Sequence, residues 1–490
     1  MIPLTIENVA VAAEGTLHSS KDLARQVITN IVTDSRVFEQ DAKATQTVFL
    51  ALKGANFDGH RFIEAVLKSG CVAVVVEQFN AQLNQNNVAQ IVVQDSRVAL
   101  GKLGAYVKQI VAPKTVAITG SSGKTTVKEM VAAILSGLGK VLATSGNFNN
   151  DIGVPLTLLR LEPSHEYAVI ELGANHIGEI AYTTNLVKPD VAVINNIAAA
   201  HLEGFGDLCG VARAKGEIFS SLTSQGVALY NKDTRYTDKW QWRLVDKTVR
   251  TFSCFNEADC YSSDVNLDQL GCASFQLHTT QGQCLIELNI PGKHNVCNAV
   301  AAASIALEFG ASLADIATGL AQMKPVKGRL NLYQLTENVK LIDDSYNANL
   351  ESAKAAAQLL SSYPGKQILI LGDMGELGTQ ARSYHQQVGE FAAELDIDTL
   401  ITLGVLSQSA CDGFCAKKPV NEADSSQHFA HRDELLHHVY EEFNQLLSDS
   451  EEQLAILIKG SRSAHMEHVV KAIIEWFEQY NALQNKEVNS

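Results

Sequence analysis

Apolar residues along this chain fall into short blocks separated by helix-spaced patterns, and the alternation changes character twice. In the first stretch VTDSR, TVFLAL, IEAVLKSG, CVAVVV and IVVQDS read as short strands and helices. The break Ala112-Pro113-Lys114-Thr115 then leads into a new strand. From Val116 onward VAITG, AVIEL (Ala168 to Leu172), AVIN (Ala192 to Asn195) and VALYN (Val227 to Asn231) alternate with helical stretches, which predicts a parallel sheet covered on both faces. Between Cys254 and Ile290 the period drops to two, as in FQLHTT and CLIELNI, so antiparallel strands are expected at that sheet's edge, followed by a helix at HNVCNAVAAASIALEFG. A second break, Met323 to Gly328, precedes LIDDS, QILILGD, TLITLG and AILIKGS, the strands of another doubly wound unit. The expected fold is α/β in three domains, with boundaries at 1–112, 113–325 and 326–490.

Length agrees with that division, since 490 residues exceed one ordinary core and suggest about three. With 46% apolar and 19% charged residues the composition is that of a soluble globular protein. The net charge of -15 excludes nucleic-acid binding by a basic face, so an anionic ligand must be met by local positive groups. No segment approaches about 18 uninterrupted apolar residues, and the first residues lack a basic region ahead of their apolar ones, so neither a membrane span nor a secretory signal is expected. A cytoplasmic location is the resulting expectation. Nine scattered cysteines, whose closest pairs are Cys411/Cys415 and Cys254/Cys260, complete no zinc pattern and are expected to be reduced, buried or incidental thiols.

The candidate chemistry starts at VAITGSSGKTTVKEMVAAIL, Val116 to Leu135. Val116, Ala117 and Ile118 form a buried strand, and Val127, Met130, Val131 and Ile134 recur at helical spacing, so a helix begins at the lysine. Gly120 and Gly123 let backbone N–H groups turn toward an anion at the helix's positive end. Lys124 is placed to meet β- and γ-phosphates and Thr125 to set a hydroxyl on Mg²⁺. The loop is shorter between its glycines than the common G-x-x-x-x-G-K-[ST] pattern, and a plain glycine turn with a solvated lysine remains open on the loop alone. Ligands of open α/β sheets collect beyond the carboxyl ends of strands, which singles out Glu171 at the end of the strand in AVIEL and His201 after the next strand. Singly they read as a helix cap and a loop histidine. Beside a phosphate loop they suit a divalent cation held by oxygen ligands. Lys215, in ARAKGEIF, reads as a solvated helix lysine.

TGSSGKTT, GNFNNDIGVPLTLL, ELGANHIGEI, NNIAAAHLEGFG, AKGEIF, PGKHNVCNA, VKGRL, DDSYNAN, LGDMGELG and KGSRS occur in this order, and together they resemble the Mur ligases of peptidoglycan synthesis. The match runs from Thr33 to Ser463. The resemblance implies an N-terminal domain that binds a UDP-sugar, a central ATP-binding domain with the family's own short loop, and a Rossmann-like C-terminal domain. It implies an ATP-dependent amide ligase working through an acyl phosphate, most similar to the branch whose substrates are UDP-MurNAc-tripeptide and D-Ala-D-Ala. By the family pattern ATP is met by Gly120, Ser121, Ser122, Gly123, Lys124, Thr125 and Thr126, with Asn295 and Asn298 after His294, Arg329 and Asp344 completing the nucleotide site. Two Mg²⁺ ions are implied, carried by Thr125, Glu171, His201 and Lys215, the last aligned with a lysine that family members carbamylate. Ser35, Arg36, Gly59 and His60 resemble the UDP pocket, Asn147 and Asn150 the loop near the reacting centre, and Asn347 and Asn349 the dipeptide side. A monomer is expected. Leu350 replaces the family's usual proline and Gly375 a common leucine, departures that stand next to Asn349 and Glu376.

Two other readings stay open at this point. One is a ligase of the same fold adding diaminopimelate, lysine or glutamate, although the Asp-Asn-Pro-Arg string of the diaminopimelate enzymes is absent. The other is a nucleotide-binding protein that kept the fold without catalysis, against which stand Lys124, Thr125, Glu171, His201 and Lys215 together.

Overall fold

In the computed structural model, residues 1–39, 44–54, 57–84, 88–418, 425–448 and 453–488 are described. Besides a two-stranded antiparallel sheet of Leu4–Thr5 and Val27–Ile28, three larger sheets carry the chain in sequence order. The first has five strands, Thr16–His18, Ala89–Val92, Ala73–Val76, Thr47–Leu50 and Asn30–Val32 in spatial order, all parallel except the first pair. Its central strands are buried from end to end, which is why TVFL and AVVV read as unbroken apolar runs.

The middle sheet has nine strands. Val141–Ala143, Tyr167–Glu171, Lys114–Thr119, Val191–Ile194, Val227–Asn231, Thr248–Ser253 and Cys260–Leu267 are parallel neighbours in that order. Cys272–Thr279 and Gly282–Pro291 complete the edge antiparallel, where the period of two placed them. The third sheet orders Asn331–Gln334, Val339–Asp344, Leu454–Lys459, Lys366–Gly372, Thr399–Leu403 and Ser426–Phe429, with only its first strand antiparallel.

Apolar packing does not respect the first break in the sequence. Leu100, Leu103 and Val107 of the helix Ser96–Val111 belong to one continuous core with Leu158, Ile170 and Ile194 of the middle sheet's layer. Two glycines make the approach close: a Cβ on Gly104 would stand 2.9 Å from Pro155 Cα, and one on Gly101 would overlap the Tyr182 hydroxyl. The opposite face of the middle sheet buries Val127, Met130 and Ile134 against Val300 and Ile305. Separate cores cover the two faces of the third sheet.

The expectation of uniformly reduced thiols is corrected by the structure. Cys254 and Cys297 form a disulfide with Cα atoms 5.4 Å apart. They are 43 residues apart in the chain and meet only because the helix His294–Glu308 packs beside the carboxyl end of Thr248–Ser253, a proximity that spacing cannot reveal. No helix among the described residues is long and apolar enough to cross a membrane.

Candidate active site

The strand Lys114–Thr119 runs into Gly120, and the helix Lys124–Ser136 begins at the lysine. Gly123 stands at φ 74°, and a Cβ there would lie 2.7 Å from Asn195 Nδ2 and overlap Asn298 Oδ1, so only glycine lets the loop close. A buried chain of amides explains the closeness. Asn295 Nδ2 donates to Pro291 O (2.7 Å), Asn298 Nδ2 to Asn295 Oδ1 (2.9 Å), and Asn195 Nδ2 to both Asn298 Oδ1 (3.1 Å) and Ser122 O (3.0 Å). Asn196 takes the Ser122 N–H at 2.9 Å, and the Ser121 hydroxyl bridges Ala198 N and O. The loop is thus held by residues up to 176 positions away, before any ligand contact.

Under the loop the oxygen-bearing groups converge. Thr125 Oγ1 donates to Glu171 Oε2 at 3.0 Å, and Asn149 Nδ2 donates to Glu171 Oε1 at 2.8 Å. Both Thr125 and Glu171 are buried. The Glu171 N–H is taken by Thr144 Oγ1, and the Thr144 carbonyl accepts from the buried Lys128 Nζ at 2.6 Å. Lys124 Nζ donates to Gly120 O at 2.8 Å; burial lowers its pKa, Glu171 and Glu376 oppose that, and Arg329 adds to it. Thr126 is the third residue of the helix, directly after Thr125.

Lys215 overturns the solvated reading. It lies on the helix Leu208–Gly216 with 1% exposure, its Nζ 5.9 Å from the Phe205 ring centre and without a carboxylate partner among the described residues. Burial, with the nearby Lys124 charge, pushes its pKa well below the ordinary value. His201 opens the short helix Leu202–Phe205 in a left-handed conformation (φ 53°), with Nδ1 2.5 Å from Glu376 Oε2. Contact with that ring holds the Glu376 carboxyl below its usual value despite burial.

The third sheet supplies the opposite wall. Asp344 ends the strand Val339–Asp344 and binds the buried Lys459 Nζ at 2.5 Å; the same ammonium donates to Asn347 O at 2.9 Å. Burial lowers the Lys459 pKa against the pull of Asp344. Arg329 lays its guanidinium 4.4 Å from the Tyr346 ring centre. Asn347 Oδ1 accepts from Ala348 N, and Asn349 caps the helix Leu350–Leu360 while its Nδ2 reaches Ser121 O at 3.4 Å. Leu350 is that helix's first residue, the position at which proline is favoured, and the capping box at Asn349 starts the helix without it. Gly375 would take a Cβ at 3.4 Å from Ser461 Oγ, an ordinary contact, so nothing in the backbone demands glycine there.

The first sheet's candidates are engaged locally. Arg36, next to Ser35 at the start of a 3₁₀ turn, makes a forked pair with Asp34 (Nε–Oδ1 2.9 Å, Nη2–Oδ2 2.6 Å). His60 Nδ1 meets Asp58 Oδ1 at 2.7 Å and its Nε2 accepts Glu77 N–H at 3.1 Å, while Gly59 packs its Cα against the Leu52 backbone. Asn147 offers its carbonyl to Asn149 N, and Asn150 Oδ1 caps Gly153 N at 2.8 Å. The asparagine between them is the one that meets Glu171.

Three family models match in sequence order: the Mur ligase family catalytic domain over residues 27–108, the Mur ligase middle domain over 118–306, and the Mur ligase glutamate ligase domain over 328–462. The chain is 43% identical over 476 residues, 97% of its own length and 99% of the relative's, to UDP-N-acetylmuramoyl-tripeptide–D-alanyl-D-alanine ligase of Escherichia coli K12. This chain belongs to the Mur ligase family. Among solved structures this Mur ligase superposes on MurF from Acinetobacter baumannii with a TM-score of 0.88 at 39% identity, covering 97% of this chain and 99% of that one. It also resembles MurF ligase from Thermotoga maritima in complex with ADP, with a TM-score of 0.77 at 25% identity, covering 92% and 98%.

For this Mur ligase the sequence reading left out Asn149, Asn195, Asn196, Lys128, Lys459 and Glu376 as site residues. Asn149, Asn195 and Asn196 sit inside the quoted strings and Lys459 opens KGSRS, so a signal existed. Their direction did not: which of three neighbouring asparagines faces Glu171 depends on the turn.

Proposed function

We propose that this chain joins the free carboxylate of UDP-MurNAc-tripeptide to the amine of D-Ala-D-Ala at the expense of ATP. One observation carries the reading: Lys124 of the glycine loop lies within electrostatic reach of Glu171, Lys215 and Arg329, and Arg329 in turn of Lys459, which binds Asp344, while Thr125 and Asn149 hold Glu171. ATP lies along the loop, with Gly120 through Thr126 around its phosphates, Asn295 and Asn298 holding the loop's shape, and Arg329 and Asp344 on the far side.

The donor set fits Mg²⁺. Thr125 and Glu171 offer buried oxygens, His201 an imidazole, and Lys215 a buried amine of lowered pKa that reacts with CO₂ to become an anionic carbamate. Bound there, two Mg²⁺ ions supply charge neutralisation for phosphoryl transfer. Lys124 tracks the γ-phosphoryl group as the substrate carboxylate oxygen attacks it, giving an acyl phosphate and ADP. The dipeptide amine, entering past Asn347 and Asn349, then attacks the acyl carbon; the C–O bond to phosphate breaks and the amine loses a proton. Docking of the third sheet's loops on the crevice excludes water from the acyl phosphate.

We assign the UDP-sugar to the domain 1–112 through Ser35, Arg36, Gly59 and His60, ATP to 113–325, and the dipeptide side to 326–490, with Asn147 and Asn150 shaping the loop between. The enzyme works as a monomer in the cytoplasm on this reading. The test is purified protein with ATP, Mg²⁺, UDP-MurNAc-tripeptide and D-Ala-D-Ala, read by mass spectrometry and phosphate release. Product mass with D-Ala-D-Ala and none with diaminopimelate or glutamate is expected; the reverse preference overturns the assignment.

A further inference from the structure

His201 and Glu376 come from different sheets, yet each is built to meet the other. His201 follows the strand Val191–Ile194 of the middle sheet, and Glu376 follows Lys366–Gly372 of the third. Both carry side chains in the left-handed region, at φ 53° and φ 61°, where few residues other than glycine are found. Backbone contacts set the approach: Glu203 N–H points to Glu376 O at 3.4 Å, and Gly378 is close enough that a Cβ there would lie 3.5 Å from Glu203 Cα. His201 Nδ1 is shut off from water, and the Glu376 carboxylate oxygen 2.5 Å away is the group it faces.

As glue this pair is weak. The Glu376 side chain is 53% exposed, and exposed ion pairs add little to docking. Its physical consequence is orientation. A histidine that ligates a metal commonly donates its other ring N–H to a carboxylate, which selects the tautomer and aims the free nitrogen. We propose that Glu376 is a positioning residue that holds His201 as the Nδ1–H tautomer and presents Nε2 to the metal site, so that the histidine of the middle sheet is correctly aimed only when the third sheet is docked. This rests on the assignment of His201 as a metal ligand. It makes DMGELG a part of the metal centre without any of its atoms being a ligand.

The test uses the full chain labelled with ¹⁵N-histidine, with the His201 signal assigned by its loss in H201Q. Wild type should show His201 as the Nδ1–H tautomer, and E376A should move it toward the Nε2–H form that free imidazole side chains prefer. In parallel, Mn²⁺ is titrated by electron paramagnetic resonance with ADP present. E376A should bind the weaker ion about 10–100-fold less tightly, and E376D should recover part of the loss. Melting temperature and metal-free ADP binding control for folding. An identical His201 tautomer in wild type and E376A overturns the proposal, as does Mn²⁺ affinity that falls in H201Q but not in E376A. Mn²⁺ affinity untouched by H201Q overturns the ligand assignment, and the proposal with it, while the phosphoryl-transfer reading at Lys124 stands on its own assay.

Discussion

The central crevice and the first sheet's pocket hold their charged groups in opposite ways. In the crevice, Ser122 is fixed by Asn195 and Asn196, which stand more than seventy residues away, and Glu171 by Thr125 and Asn149, all in buried or half-buried bonds. In the first sheet, Arg36 and His60 are each paired with an aspartate two residues earlier, Asp34 and Asp58, and Arg36 is 83% exposed. A short-range pair exchanges its partner for a ligand at small cost, because water screens both states. A buried network does not, since every broken bond leaves a desolvated polar group. On the proposed assignment, the buried network around the glycine loop is preorganised for charge transfer, and the first sheet's pairs are arranged for exchange.

That contrast orders the expected losses. Lys215→Ala should be nearly inactive in phosphate release, with partial rescue by short-chain carboxylic acids that supply the missing anion; full activity without rescue breaks the comparison at its centre. Lys124→Ala should lose about 100-fold or more in turnover, because the charge that follows the transferring phosphoryl group is gone. Asn298→Ala removes the middle link of the amide chain and leaves its neighbours unpaired, a cost of about 1–3 kcal/mol. It should appear as weaker ADP binding by calorimetry and a lower melting temperature together. Arg36→Ala should leave turnover nearly intact and raise KM for the UDP-tripeptide only several-fold, in keeping with an exposed pair worth under about 1 kcal/mol.

The smallest effect is acid dependence. The Arg36 guanidinium holds the Asp34 carboxyl below its ordinary 3.8. A carboxyl depressed by folding contributes stability above its unfolded pKa and loses it as pH falls through the folded value. Wild type should therefore lose this contribution only below about pH 4, and Arg36→Ala should flatten that part of the melting-temperature profile by a barely measurable amount. A large flattening would show the first pocket to be preorganised after all.

Much of the site was legible because phosphate chemistry writes itself locally. The glycine loop, the helix beginning at Lys124 and the carboxylate of Glu171 in AVIEL occupy the ends of strands whose presence the apolar pattern already implied. Lys215 was illegible from the residues alone, since one helical lysine looks like another until the packing around it is known. Lys459 and Glu376 escaped for a different reason. Each lies in a quoted motif, but their partners, Asp344 and His201, are 115 and 175 residues away in the chain.

The sequence by itself determined the middle sheet's parallel strands with their antiparallel edge, a second doubly wound unit after it and the loop that starts the central helix, because period, glycine placement and strand-end position are properties of adjacent residues. Only the tertiary structure decided which asparagine faces Glu171, that Lys215 is desolvated, that Cys254 meets Cys297 and that a carboxylate of the third sheet addresses a histidine of the second. Those are facts about distance and water exclusion between segments far apart in the chain, and both arise only when the sheets pack.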